Sequence, residues 1–173
     1  AFSVGRTQEL LYFLNQLSND KLLQVPVYVD SPLSLEATAV VKSHPENFNK
    51  GIQELMLSDK DPFDFHGLTF IRSVDESKRL NDLAQPCIII SSSGMADAGR
   101  IKHHIANNIG DAKNTILIVG YCEPNSLGGR LSRGEKEVKI FGDFYKVIAE
   151  TGVMKSMSAH GDYDDLCQFL ACQ

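Results

Sequence analysis

The chain has 173 residues, of which 43% are apolar and 23% charged, and it carries a formal net charge of −5. That length suits one substantial domain, or one domain plus a fragment of another, and the composition excludes disordered, collagen-like and disulfide-scaffold chains. The acidic balance argues against binding nucleic acid by bulk attraction alone.

Helix and strand signals alternate from the start. Residues 6–19 place Leu10, Leu11, Phe13, Leu14 and Leu17 on a helical stripe, and Val25-Pro26-Val27-Tyr28-Val29 reads as a short strand. The strand ends at Asp30-Ser31-Pro32, where Asp or Ser can cap a helix over about 33–43 and Pro suits its first turn. A short helix at 49–58 is followed by a strand at 68–73, a helix at 74–84, and Pro86-Cys87-Ile88-Ile89-Ile90-Ser91, whose apolarity on both faces marks a central parallel strand. A helix from about 98 to 109 and the buried strand Thr115-Ile116-Leu117-Ile118-Val119 complete the alternation.

Strand-helix-strand repetition with short loops predicts an α/β fold: a doubly wound, mainly parallel sheet with helices on both faces. Residues 136–157 then read as shorter strands, 137–140, 144–148 and 152–156, of antiparallel or mixed pairing, before an amphipathic helix that starts near Tyr163. The chain begins just ahead of a helix with no initiator Met and stops in or just after another, which reads as a piece of a longer protein. No apolar run reaches the roughly 20 residues that span a bilayer, so no membrane partner is expected. Cys87, Cys122, Cys167 and Cys172 lack paired metal-type spacing, and Cys87 reads as a buried thiol in a reducing compartment, the cytoplasm.

Charge is uneven along the sequence. Residues 1–98 hold 8 Lys/Arg against 13 Asp/Glu, residues 99–155 hold 9 against 6, and residues 156–173 hold 0 against 3. The cluster Arg100, Lys102, His103 and His104, followed by Lys113, Arg130, Arg133 and Lys136, either faces a polyanion or forms a solvated mixed-charge surface.

Three segments carry candidate chemistry. Ser91-Ser92-Ser93-Gly94-Met95 leads towards Gly99-Arg100 where a strand ends and a helix begins, a place where backbone N–H groups and hydroxyls can receive a phosphate; an ordinary turn is the alternative. Gly128-Gly129-Arg130, after the strand ending at Val119, offers a second Gly-rich loop with a cation, or again only a turn. Ser158-Ala159-His160-Gly161-Asp162-Tyr163 sets an accessible imidazole between a strand and the last helix, or is simply a helix cap with Asp162 capping. No metal site is expected within the chain, because adjacent His103 and His104 point about 100° apart on a helix and the other histidines are isolated. Asp30 and Asp97 read most simply as caps, although either could line the crevice.

Taken in order, Val4-Gly5-Arg6-Thr7-Gln8-Glu9-Leu10-Leu11, Val27-Tyr28-Val29-Asp30-Ser31-Pro32-Leu33, Ser93-Gly94-Met95 with Gly99-Arg100, Val119-Gly120-Tyr121 before Leu127-Gly128-Gly129, and Ser158-Ala159-His160-Gly161-Asp162-Tyr163 resemble the β-CASP family of RNA-processing nucleases, within the metallo-β-lactamase superfamily. The resemblance implies a β-CASP domain over 1–130 and a segment, 131–173, leading back to a metallo-β-lactamase core. It also implies two zinc ions whose ligands lie outside this chain, a substrate that is RNA or DNA, and hydrolysis of a phosphodiester by a metal-activated hydroxide. On that basis His160 is the catalytic candidate, as proton donor or transition-state stabiliser. Ser92, Ser93, Gly94, Met95, Arg100, Gly128, Gly129, Arg130, Ser158 and Ala159 are the RNA- or phosphate-binding candidates. With no ligand set of its own, the chain alone is expected to be inactive. The alternative function is a phosphate- or nucleotide-binding regulatory module without catalysis.

Overall fold

A computed structural model describes residues 1–57, 61–157, 161 and 163–172. Helix α1 (Arg6–Asn19) buries Thr7, Leu11 and Asn15, one residue per turn on a single face. Strand β1 (Val27–Asp30) follows, and then helix α2 (Pro32–Lys42). Ser31 is the cap of α2, its Oγ accepting from the Ser34 amide at 3.2 Å, with Pro32 in the first turn. Helix α3 (Lys50–Leu57) leads to strand β2 (Leu68–Phe70) and helix α4 (Val74–Arg79), which starts with a reciprocal capping box between Ser73 and Glu76. Strand β3 (Ile88–Ser91), helix α5 (Arg100–Asn108), strand β4 (Thr115–Val119) and helix α6 (Leu127–Ser132) come next. Strands β5 (Glu137–Ile140), β6 (Asp143–Lys146) and β7 (Glu150–Met154), then helix α7 (Tyr163–Ala171), complete the order.

The architecture is α/β and mainly parallel. Strands pair in the order β2-β1-β3 in one parallel sheet, β4 pairs in parallel with β7, and β5 and β6 form an antiparallel hairpin. One expectation needs correction. Strand β1, not β3, is central in the three-stranded sheet, and β3 borders an apolar groove of about 460 Å³ shared with α1, β4 and Met154. The two-sided apolarity of Ile88, Ile89 and Ile90 therefore reflects a sheet on one side and a groove on the other. The late strands pair in the mixed way expected: β5 and β6 are antiparallel, and β7 returns to the edge of β4 in parallel register, Thr115 opposite Glu150 through Val119 opposite Met154.

Two apolar clusters hold the elements. Leu11, Val27, Val29, Phe63 and Ile90 fix α1 against the three-stranded sheet. Ala96, Ile105, Ile109, Leu127, Leu131, Val138 and Ile140 lock α5, α6 and β5 together. Among the described residues no helix is long and apolar enough to cross a membrane.

Candidate nucleic-acid interface

Asp30 ends β1 with its side chain 0% exposed, and three groups converge on it. Arg100 Nη1 donates to Oδ1 at 2.6 Å, while His104 Nε2 and Ser77 Oγ meet Oδ2 at 2.6 and 2.5 Å. Arg100 and His104 sit one turn apart on α5, so both face the same carboxylate. Burial alone would raise the Asp30 carboxyl, but the hydrogen bonds from His104, Ser77 and Arg100 together outweigh it and hold the group below its ordinary value. Arg100 Nη2 also donates to the Arg72 carbonyl at 3.1 Å, so one buried carboxylate ties together the ends of β1 and β2 and the starts of α4 and α5. His104 Nδ1 is buried without a protein partner. Asp30 is thus an anchor rather than the cap that the sequence suggested.

Beside this anchor lies a chain of hydroxyls. Ser92 Oγ is 2.7 Å from Ser31 Oγ and 2.7 Å from Ser3 Oγ, and Ser91 Oγ donates to the Asp30 carbonyl at 2.9 Å. The 92–99 loop is also welded to the 120–126 loop and the first turn of α6. Cys122 Sγ donates to the Gly94 carbonyl at 3.3 Å, the Gly128 amide to the Met95 carbonyl at 2.8 Å, and the Leu127 amide to Asp97 Oδ1 at 2.7 Å. Asp97 therefore serves the start of α6, not of its own helix.

The structure brings Ser92, Gly94, Met95 and Gly128 together in one assembly, with Ser93 half-buried in the same loop. Gly94 is covered by the Phe2 ring, which an added Cβ would meet at 2.6 Å. Gly128 and Gly129 are buried with their amides bonded to Met95 and to Ser126 Oγ, and a Cβ on Gly129 would collide with the Glu123 carbonyl oxygen. Their glycine character serves close packing. Arg130 stands apart, its Nε donating to Glu135 at 2.8 Å. The basic cluster is divided: Arg100 and His104 turn inward to Asp30, Arg130 and Arg133 share Glu135, and Lys102 and His103 lie against Phe141. Ser158, Ala159, His160 and Asp162 lie outside the described residues. Met157, just before them, is buried and lines the same groove as Ser91.

Among the described residues no three His, Cys, Asp or Glu side chains converge as metal ligands. Asp30 and His104, the nearest approach to a ligand pair, are already bonded to each other. The described residues therefore do not fit a zinc centre. Asp30 as hub, and Ser3 and Ser31 as members of the hydroxyl row, were not singled out from the sequence. The available signal was Arg100 and His104 at i, i+4 on one helix face, with no acidic residue on that helix.

The Beta-Casp domain matches residues 7–131. The chain belongs to that family. Ribonuclease TTHA0252 of Thermus thermophilus is 30% identical to this Beta-Casp chain over 169 residues, covering 98% of the chain and 39% of the relative. The RNase J-like protein of Methanocaldococcus jannaschii is 34% identical over 171 residues, with 98% and 38% covered. Transcription termination factor FttA of Methanosarcina mazei is 30% identical over 177 residues, with 98% and 28% covered. This Beta-Casp chain thus spans at most 39% of the length of these relatives.

Proposed function

We propose that the chain is the RNA-contacting cap of a longer, metal-dependent ribonuclease whose two zinc ions are held by residues outside 1–173. The observation that carries this reading is the meeting of the β1 and β3 ends in a braced row of hydroxyls, in a chain of the Beta-Casp family. Hydroxyls donate and accept by simple rotation, so the half-buried Ser3 and Ser92 are suited to phosphate oxygens without adding a net charge, while buried Ser31 braces Ser92. Arg100, already bonded to a buried carboxylate, acts by fixing this loop rather than by gripping phosphate. Phosphate contact at Ser93, Met95, Ser158 and Ala159 belongs to the same reading. Two ribonuclease-named relatives support the nuclease assignment. The four free cysteines suit a reducing compartment such as the cytoplasm.

His160 is the proton donor to the leaving oxygen in this proposal. Its support is Met157, three residues before it in sequence, which lines the groove that β3, β4 and β7 share. The isolated chain does no chemistry. In the longer protein, His160→Ala should lower RNA cleavage by ~100-fold or more, the scale of lost general acid catalysis, with zinc content unchanged. Cleavage at the original rate would remove His160 from the mechanism.

A further inference from the structure

The β5–β6 hairpin carries two exposed aromatic rings that the fold does not need. Its inner face is anchored by Val138 and Ile140, both fully buried, with Tyr145 packed alongside. Residues directly opposite on an antiparallel pair share a face, so Glu137 with Lys146 and Lys139 with Phe144 form the outer face. Phe144 is 69% exposed there, with Lys139 Nζ 5.7 Å from its ring centroid. Phe141, at the hairpin tip, is 52% exposed; Lys102 Nζ lies 4.9 Å from its centroid, and the His103 ring is 4.5 Å away.

The tip itself is set against a large side chain. Phe141 and Gly142 are the two loop residues, with φ of 54° and 101°, the signature of a type I′ turn, whose first position favours Asn, Asp or Gly. A bulky residue at positive φ is strained. Phe141 thus combines backbone strain with solvent exposure, and its ring lies against Lys102 and His103.

We propose that Phe141 and Phe144 form a stacking platform for unpaired bases of a single-stranded RNA, with Lys102, Lys139 and Lys146 contacting the flanking phosphates. Each ring has an ammonium group beside it, Lys102 at Phe141 and Lys139 at Phe144, as each base of a strand has a phosphate beside it. On the outer face Lys139 and Lys146 stand with one carboxylate, Glu137, and Lys102 lies beside the tip, while Asp143 pairs with Ile140 on the other face; this is a local cationic surplus on a chain whose net charge is −5. A protein partner would call for the opposite arrangement, since charged residues are depleted at the centre of such interfaces. The platform is separate from the strand-end hydroxyls, and it extends the proposed cap function by giving the RNA a second, sequence-tolerant grip; it therefore rests on the reading of RNA as substrate.

The test is fluorescence anisotropy with the full 173-residue chain and labelled oligouridine of about 12 nucleotides at low salt. Phe144→Ala and Phe141→Asn should each weaken binding by roughly 5-fold or more, the lower end of one lost base stack, and Phe144→Tyr should restore it. Heparin, a polyanion without bases, should bind all variants equally. Phe141→Asn should also raise the melting temperature, because Asn tolerates the left-handed turn, so loss of affinity cannot be loss of fold. If wild type binds oligouridine and both variants bind it equally well, the platform is wrong and the cap function stands. Equal losses for heparin and oligouridine would overturn stacking. No oligouridine binding by wild type would contradict the cap function itself, and the platform with it.

Discussion

Asp30 shows how much can depend on one buried charge. A carboxylate with no exposed surface survives only if its partners replace water, and here Arg100, His104 and Ser77 do so. Removing one partner leaves the charge stranded: Arg100→Ala should cost about 3 kcal/mol of unfolding free energy, measured by urea titration at neutral pH. The pH dependence has a definite sign. Because the folded carboxyl lies below its ordinary value, its stabilisation is complete above the unfolded value of about 3.9 and is lost as pH falls through the lower folded value. Wild type should therefore lose stability more steeply below about pH 4 than Asp30→Asn. Parallel acid limbs for the two proteins would show that Asp30 is not held in its charged form.

At the scale of elements, the glycines of α6 separate packing from flexibility. Gly128 faces Cys122 Sγ and the Met95 carbonyl, and Gly129 faces the Glu123 and Pro124 carbonyls, all closer than a Cβ tolerates. Gly129→Ala should destabilise by about 3 kcal/mol, since rigid backbone cannot give way. Gly51→Ala in α3, where the nearest atom is Asn49 Oδ1 at 3.5 Å, should instead stabilise by about 0.5 kcal/mol. Thermal unfolding of both variants checks the contrast; equal effects would sink it. The same loops show what a sequence makes legible. Helix α1, the Ser31-Pro32 start of α2 and the alternation of elements follow from periodicity and capping, which are local. The return of β7 to β4, the groove beside β3 and the weld of the 92–99 loop to the 120–126 loop and the first turn of α6 are long-range, and local pattern does not encode which strand meets which. Ser92, Gly94 and Gly128 were legible as strand-end residues; Asp30 as hub was not, because its partners lie 47 to 74 residues away.

For the whole molecule, the parallel strands deliver their C-terminal ends, with the serines and the 155–157 turn, to one region, as ligand sites in open α/β sheets require. The described residues there offer hydroxyls and braced charge, and no cluster of metal ligands. On the proposed function, such a chain holds a polynucleotide without cutting it. The most direct test mixes residues 1–173 with a short RNA labelled at one end and zinc at low salt. Anisotropy reports binding, and the label, resolved on a denaturing gel, then reports integrity. The account predicts RNA that is bound and intact; chelator-sensitive cleavage, or no binding at any protein concentration, would contradict it.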